Sequence, residues 1–361
     1  MAKRKQRRDE FQDISSYSSK QAYKKNQKKK KRTGLKVFLS FICVILVLVG
    51  GVMIYASTVL LGDLKTTTIT KDKTELGISE ETKSEAGITN IALFGVDARD
   101  YDGGTFAGRS DAIMVMSIDN VHHKVKLTSI MRDVRVYMGD GSPYDSGYDK
   151  LNHAYMYGGP EQAIRTINQN FGLDIQDYVT VNFASMAKIV DAFGGVNIDL
   201  TEEEVEQVNI NMQDLAVNSP ESLSGDVSTY APLSAGEGVL LNGDEAVAYG
   251  RIRAIDNDNG RVERQQEVLS ALLSKASSIS KLEYPSIIQQ LAPLCETSLT
   301  FDKMIGLAQI ALTGFDIERL SIPSDVEGYA SDYCEGGGWM WTYDTDVAAQ
   351  HIHEFIYEDE N

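Results

Sequence analysis

The hydrophobic positions divide the chain into one long uncharged run followed by many short apolar segments separated by polar residues. Residues 37–61 contain no charged side chain. At about 1.5 Å per residue, a helix of this length crosses the roughly 30 Å hydrocarbon layer of a bilayer. No small-residue cleavage site follows the run, so it differs from a secretory signal peptide. The pattern predicts one transmembrane helix that anchors the protein.

The charge is distributed unevenly on the two sides of this segment. Residues 1–36 carry 14 Lys and Arg against 3 Asp and Glu, whereas the rest of the chain carries 21 against 49. The positive-inside rule places the basic tail, which we expect to be disordered, in the cytoplasm and everything after residue 61 outside the cell. The tail is too short and too polar for a DNA-binding module. The expected partner is therefore the lipid bilayer, and no nucleic acid.

The external part begins with a polar segment, residues 62–87, which predicts a stalk. From residue 88 to 361, apolar segments of strand length alternate with segments of helical spacing, and this alternation predicts an α/β domain. Residues 201–235 are acidic and rich in Ser, and we expect a partly mobile insertion over the site, whereas residues 281–361 suggest no particular role. The predicted strands cover residues 88–96, 112–118, 122–130, 178–182, 196–200 and 318–322, and the predicted helices cover 160–171, 184–193, 242–249, 261–279, 302–312 and 345–357.

Acidic and basic side chains lie at the ends of the first three predicted strands. Asp97 follows the first strand, Arg109 and Asp111 precede the second, and Arg132 follows the third. Ligands of open α/β sheets bind at strand ends. Two carboxylates suit Mg²⁺ (or Mn²⁺), which binds proteins through one or two carboxylates and the phosphates of a substrate. The alternative is that each Asp only caps a turn.

Arginines also cluster in one short stretch, residues 251–266. An Asp-Asn-Gly turn and the start of a predicted helix lie within it, and guanidinium groups near a helix N-terminus are typical of phosphate sites. The alternative is a solvated helix face. From residue 89 onwards there are 17 Lys and Arg against 43 Asp and Glu, so clustering of scarce cations favours a specific anion. The candidate anion ligands are Arg251, Arg253, Arg261 and Gln265, and Asp258 is the candidate base or metal ligand.

Two cysteines, Cys295 and Cys334, lie in the external domain. In an oxidising compartment they predict a disulfide bond, and the alternative is two unrelated thiols. The five histidines match no zinc spacing, and no serine-centred nucleophile elbow occurs. A zinc hydrolase or a serine hydrolase is therefore not expected.

Four sequence blocks occur in order: NIALFGVDARD (90–100), RSDAIMVMSID (109–119), LTSIMRDVRVYM (127–138) and LNGDEAVAYGRIRAIDNDNGRVERQQEV (241–268). Together they resemble the LytR-CpsA-Psr family of cell-wall glycopolymer ligases. A further segment, KLNHAYMYGGPEQAIRTI at 150–167, is also similar to the family. Two positions depart from the family pattern, Met131 where Pro is frequent and Asn259 where Phe is frequent.

The resemblance implies a membrane-anchored phosphotransferase of a mainly Gram-positive bacterium. Such a protein moves a glycopolymer, for example teichoic acid or capsular polysaccharide, from a polyprenyl-pyrophosphate carrier to peptidoglycan. The implied fold is a three-layer α/β/α sandwich on a central mixed sheet, with an apolar pocket for the prenyl chain. The implied metal ligands are Asp97 and Asp111, the pyrophosphate ligands are Arg109, Arg132, Arg251, Arg253, Arg261 and Gln265, and Asp258 occupies the acidic position of the family loop.

Two other functions stay open at this stage. A phosphohydrolase at the same site would transfer the phosphoryl group to water instead of to a sugar hydroxyl. A membrane-anchored transcriptional regulator would need a recognisable cytoplasmic DNA-binding module, and residues 1–36 do not contain one. The sequence leaves the identity of the glycopolymer open.

Overall fold

The computed structural model describes most of the chain from residue 65 to residue 358. The basic tail 1–36 and the predicted transmembrane segment 37–61 lie outside the described residues. Within the described part, none of the helices combines the length and the apolar content needed to cross a membrane. The described residues are 65–96, 106, 108–218, 220, 223–278, 290–300, 303–304, 315–334 and 338–358.

A mixed seven-stranded sheet organises this part, with strand order β1-β10-β7-β2-β3-β4-β11. Strand β2 pairs antiparallel with β3 and parallel with β7, and β4 pairs parallel with β11. The strands of the sheet are β1 (Lys65–Thr66), β2 (Ile88–Val96), β3 (Ser110–Asp119), β4 (Lys124–Ile130), β7 (Asp177–Asn182), β10 (Glu296–Thr297) and β11 (Asp316–Ile322).

Three two-stranded sheets surround the main sheet. They pair β5 (Arg135–Tyr137) with β6 (Tyr148–Lys150), β8 (Val196–Leu200) with β9 (Gly236–Leu241), and β12 (Ala330–Cys334) with β13 (Gly338–Thr342). The α-helices of the described part are α1 (Leu151–Phe171), α2 (Phe183–Ala192), α3 (Glu202–Asn218), α4 (Gly243–Tyr249), α5 (Asn257–Ser278) and α6 (Thr345–Tyr357).

Side-chain alternation along β2 divides the core between the two faces of the sheet. Phe94 and the residues two positions before and after it in β2 belong to the core cluster formed with α1 and α6. The centre of the Phe94 ring lies 5.1 Å from that of the Tyr155 ring on α1. Leu93 points to the other face, where it lines a cavity together with Met186 of α2 and Leu272 of α5. Helices therefore cover both faces of a mixed sheet, which confirms the predicted α/β class.

Helix α1 starts earlier than the sequence predicted, at Leu151 instead of residue 160. Gly158 and Gly159 leave the helical conformation, and Gly159 has a φ of 65°. This break, followed by Pro160, hid the first two turns from a search for helical periodicity. The helix ends at Gly172, whose φ of 64° suits a left-handed C-cap.

Within residues 201–235, for which a partly mobile insertion was predicted, residues 202–218 form helix α3. Thr201 and Glu204 form reciprocal side-chain to backbone hydrogen bonds of 3.2 and 3.0 Å, which is a capping box that starts α3. Val208, Met212 and Leu215 then recur at helical spacing and are buried in the cluster formed with α2 and α4. The acidic composition hid the helical pattern, because most of the carboxylates, those of Glu202, Glu203, Glu206 and Asp214, lie on the exposed side of an amphipathic helix.

The predicted stalk, residues 62–87, is also wrong for its described part. Lys65 and Thr66 pair with β10 at the edge of the main sheet. Leu76 is fully buried in the main core, and Lys71 donates a 2.8 Å hydrogen bond to the buried carboxylate of Asp177. These residues are part of the folded domain, because their few apolar side chains contribute to its core.

The predicted disulfide bond is absent, since Cys295 and Cys334 are both free thiols. Cys295 directly precedes β10, the second strand from one edge of the main sheet, whereas Cys334 ends β12 in a separate two-stranded sheet. Burial raises the pKa of the Cys295 thiol to about 11. The two cysteines thus lie on different sheets, a separation that their positions in the sequence did not reveal.

Candidate active site

One end of the main sheet gathers the strand ends that the sequence marked as functional. Because β3 runs antiparallel to β2 and β4, its first residues lie beside the last residues of those two strands. The last residues of β7 and β11 reach the same end, since β7 is parallel to β2 and β11 is parallel to β4. Asp111 at the start of β3 and Arg132 just after β4 consequently meet there.

Arg132 is held by two carboxylates at this end of the sheet. Its Nη1 donates to Oδ1 of Asp111 at 2.6 Å, and its Nε donates to Oδ2 of Asp133 at 3.0 Å. Lys150, the last residue of β6, donates from Nζ to Oδ1 of Asp133 at 2.9 Å. We name these four residues the charged cluster. Two cations and two carboxylates balance its charge and fix the plane of the Arg132 guanidinium.

The protonation of Asp133 follows from these contacts. Burial raises the pKa of its carboxyl group, but the hydrogen bond from Lys150 and the positive charges of Arg132 and Lys150 outweigh burial. The pKa is therefore held below its ordinary value, and Asp133 stays ionised at neutral pH. The sequence analysis did not select Asp133 or Lys150, although both are polar residues inside or beside the family blocks.

A second buried carboxylate, Asp149, organises the first turn of α1 beside the charged cluster. It accepts hydrogen bonds from His153 Nδ1 at 3.0 Å and from the Tyr157 hydroxyl at 2.7 Å. Burial raises the pKa of Asp149, but these donors outweigh it and lower the pKa overall. Burial and the hydrogen bond to Asp149 raise the pKa of Tyr157, against the opposing positive charge of Arg109. The side chain of Arg109 is exposed to solvent, and its charge acts on the Tyr157 hydroxyl.

The arginine stretch is fixed by a residue that was not among the predicted ligands. Arg264 makes a two-pronged contact with Asp256 at 2.9 and 2.7 Å and a third hydrogen bond with Glu204 of α3 at 3.0 Å. Gly260 lies directly under the Asp256 carboxylate, where an added Cβ would be 2.0 Å from Cγ of Asp256. A side chain at position 260 would therefore displace the Asp256 carboxylate, because the loop before α5 closes onto the start of that helix.

The predicted anion ligands lie at different depths around this loop. The guanidinium carbon of Arg251 is 5.2 Å from the centre of the Phe183 ring, a distance typical of a cation–π contact. Gln265 donates to the carbonyl of Gly250 at 3.2 Å, which joins α5 to the residue before Arg251. Arg253 is exposed, whereas Arg261 is only 3% exposed.

Two predicted site residues remain without a described side chain. Asp97 lies outside the described residues, as does the side chain of Asp258 in the first turn of α5. Among the residues that are described, no three His, Cys, Asp or Glu side chains come together as a metal site. The structure therefore brings together Asp111 and Arg132, and it joins Gln265 to the backbone beside Arg251.

An apolar cavity of about 210 Å³ lies between the sheet and the helices next to Arg251. Phe183, which contacts the Arg251 guanidinium, forms part of its wall, and Gly250 and Gln265 form another part. The other lining residues are Leu93, Phe94, Gly95, Ala112, Met114, Val179, Val181, Asn182, Met186, Ile189, Ala246, Val247, Val268, Leu269 and Leu272.

The fold and the site define an α/β protein that places the Arg251 guanidinium beside an apolar cavity. The chain belongs to the LytR_cpsA_psr family, whose model matches residues 52–355. This confirms the resemblance found in the four sequence blocks.

Its relatives include proteins named polyisoprenyl-teichoic acid–peptidoglycan teichoic acid transferases. TagT of Bacillus subtilis is 26% identical over 313 residues, which cover 83% of this chain and 91% of TagT. TagU of Bacillus mycoides is 29% identical over 316 residues, which cover 85% of this chain and 91% of TagU. The alignments span nearly the whole length of both relatives.

Solved structures of TagT share the fold. TagT bound to LI-WTA superposes with a TM-score of 0.60 at 21% identity, covering 80% of this chain and 99% of the TagT chain. TagT with bound octaprenyl pyrophosphate lipid superposes with a TM-score of 0.56 at 20% identity and the same coverage. At this identity the superpositions establish the common fold.

Proposed function

We propose that this protein is a membrane-anchored phosphotransferase that moves a glycopolymer from a polyprenyl-pyrophosphate carrier to peptidoglycan. The observation that carries the proposal is the apolar cavity with the Arg251 guanidinium on its Phe183 wall. An apolar tail and an anionic head joined in one molecule match this combination. The names of the relatives, which are teichoic acid transferases, support the same reaction.

The cavity accounts for the lipid part of the donor. Its lining is almost entirely aliphatic and aromatic, and Asn182 and Gln265 are its polar members. Burial of a prenyl chain there is favourable by roughly 25 cal/mol per Å² of apolar surface removed from water. A solved TagT structure with a bound octaprenyl pyrophosphate lipid supports this assignment.

The arginines account for the pyrophosphate. Arg132 lies at the end of the sheet, and Arg251 lies at the cavity wall, where Gln265 bonds to the preceding residue. The side chains of Arg109 and Arg253 are exposed. When polyprenyl phosphate leaves, negative charge builds up on its oxygens, and fixed guanidinium donors stabilise that charge. Buried Arg261 contributes its positive charge from the first turn of α5.

Asp111 has the chemistry of a Mg²⁺ ligand. Its side chain is 18% exposed, and Arg132 engages only its Oδ1, so an oxygen of this carboxylate fits a hard cation. Together with Asp97, which follows the neighbouring β2, it would hold the ion. A bound Mg²⁺ would supply positive charge to the pyrophosphate oxygens.

The transfer exchanges one phosphorus–oxygen bond for another. A hydroxyl oxygen of peptidoglycan bonds to the phosphorus that carries the glycopolymer, and the bond from that phosphorus to polyprenyl phosphate breaks. The hydroxyl proton passes to a base, and we assign this role to Asp258 at the start of α5. Residues 37–61 anchor the protein, and the excess of positive charge in residues 1–36 places the catalytic domain outside the cell.

The experiment supplies the purified full-length protein with polyprenyl-pyrophosphate-linked glycopolymer carrying a label and with soluble peptidoglycan oligomers. We expect the label to become covalently attached to the oligomers in amounts that match the release of polyprenyl phosphate. Release of polyprenyl phosphate without attachment of label would identify a hydrolase and overturn the proposal. Arg251→Ala serves as the inactive control.

A further inference from the structure

The β12–β13 hairpin has no part in the proposed reaction so far, and it carries aromatic side chains on one face. Its antiparallel register places Tyr333 opposite Trp339 and Ser331 opposite Trp341. Residues opposite each other, and residues two apart along a strand, point to the same face of a sheet. Met340, between the two tryptophans, points to the other face and is fully buried. The hairpin is therefore anchored through Met340.

This hairpin adjoins the charged cluster. The backbone N–H of Trp341 donates to the carbonyl of Asp133 at 2.9 Å. The Nζ atom of Lys150 lies 5.4 Å from the centre of the Trp339 ring, and the same ammonium group donates to Asp133 at 2.9 Å. Asp133 in turn holds Arg132. The aromatic face is thus connected to the predicted pyrophosphate site through one lysine side chain.

The rings are held by one another, and Trp341 also packs against the main core with its indole nitrogen buried. Trp339 and Trp341 meet edge to face at 5.0 Å, and Tyr329 meets Trp341 in the same way at 5.2 Å. Tyr333 is 81% exposed and Trp339 is half-buried. Aromatic rings have a negative face, which attracts the weakly positive C–H groups on the flat side of a sugar ring. The Lys150 ammonium supplies a donor for hydroxyl and acetamido oxygens.

We propose that Tyr333 and Trp339, together with Lys150, bind the saccharide backbone of the acceptor, a β-1,4-linked chain of N-acetylated amino sugars, and that Trp341 holds the Trp339 ring in place. The proposal rests on the proposed function, because it assigns the acceptor of that reaction a binding surface. The surface suits a neutral sugar chain, since its one cation is already paired with Asp133.

The position of the hairpin favours the acceptor over the sugar of the donor. In an in-line displacement, the attacking oxygen approaches phosphorus from the side opposite the leaving oxygen. The cavity assigned to the prenyl chain lies under β7, β2 and β3, whereas the hairpin lies beyond β4, with Arg132 between them. With the leaving polyprenyl phosphate on the cavity side, the incoming hydroxyl approaches from the hairpin side.

Tryptophan fluorescence tests the binding directly, because the chain contains 2 Trp and both are on this face. Chitotetraose, a β-1,4-linked tetramer of N-acetylglucosamine, is titrated into the full-length protein in detergent, and maltotetraose is the control sugar. We expect a saturable change in emission with chitotetraose and none with maltotetraose. Equal responses to the two sugars, or no response to chitotetraose, would overturn the proposal.

Kinetics with peptidoglycan oligomers provide the second test. Because Tyr333 is so exposed, Tyr333→Ala should fold normally, raise the acceptor KM roughly tenfold and leave kcat at saturating acceptor nearly unchanged. Val217→Ala on α3, at a position of similar exposure (78%), is the matched control and should leave KM unchanged. An unchanged KM in Tyr333→Ala refutes the acceptor surface while the transferase assignment stands. If the wild-type protein fails to transfer at all, the proposed function is wrong, and the chitotetraose titration still decides whether the hairpin binds sugar.

Discussion

Replacing Gly260 by Ala should disturb the loop that carries the arginines. An added Cβ would lie 2.0 Å from Cγ of Asp256, whereas ordinary contacts begin at 3.4 Å. The Asp256 carboxylate must therefore move away. That movement breaks or lengthens its two hydrogen bonds with Arg264, which measure 2.9 and 2.7 Å.

The size of the effect follows from the exposure of the two partners. A hydrogen bond between charged groups contributes about 1.5–3 kcal/mol when it is buried. The Asp256 side chain is 42% exposed, so solvent screening reduces this contribution, and Arg264 retains its bond to Glu204. We expect Gly260→Ala to lower the free energy of unfolding by about 2 kcal/mol, within the range of overpacking substitutions.

The assay is urea unfolding of the full-length protein in detergent, followed by far-UV circular dichroism, together with the transfer rate. Gly250→Ala is the control, because its Cβ would meet its nearest neighbours at 3.6 Å, an ordinary contact. Transfer should fall further in Gly260→Ala than the loss of stability explains, since Arg261 follows directly in the chain. A Gly260→Ala protein as stable as Gly250→Ala and as active as the wild type would refute the reasoning.

Four further outcomes are expected. Arg251→Lys keeps the charge but loses the planar contact with Phe183, and the transfer rate should fall by roughly 10²–10³-fold while the fold is retained. Asp258→Asn should lower the rate by roughly 10²–10⁴-fold without weakening the binding of a polyprenyl-pyrophosphate analogue, and normal transfer would leave Asp258 as a helix-terminal residue only. Protease added to wall-stripped cells should degrade the external domain and spare a fragment that contains residues 37–61, whereas protection of the domain would contradict the topology. The carboxyl groups of Asp133 and Asp149 have lower pKa values in the folded protein than the ordinary 3.8, so their ionised forms stabilise the fold at pH values above 3.8. This stabilisation is lost as the pH falls below 3.8 and through the lowered pKa values. Asp133→Asn should therefore reduce the dependence of the free energy of unfolding on pH in the acid range.

The main strands and the position of the charged site could be predicted from the sequence. Strand β2 was predicted with the observed bounds, because a continuous apolar run next to a polar strand end is a strong local signal. Asp111 and Arg132 were selected for the same reason, and the antiparallel course of β3 brings them within 2.6 Å of each other.

The parts that depend on pairing between distant segments were not predictable in the same way. The hydrogen bond between Arg264 and Glu204 joins residues that are 60 positions apart in the sequence, and no local pattern distinguished Arg264 from the neighbouring arginines. The aromatic hairpin follows β11, in a region to which the sequence assigned no role. Helix α3 is different, because its Thr201–Glu204 capping box was a readable local signal that the acidic composition obscured.

The connectivity of the main sheet has a consequence for the order in which the protein folds. Strands β2, β3 and β4 are neighbours both along the chain and in the sheet, so their pairing has a low contact order, and the Asp111–Arg132 contact spans only 21 residues. Strand β11, by contrast, must return from a distant part of the chain to lie parallel to β4. The charged half of the site therefore assembles early, and the tryptophans beyond β11 reach their final surroundings late. During refolding, tryptophan emission should thus approach its native value after far-UV circular dichroism has largely recovered.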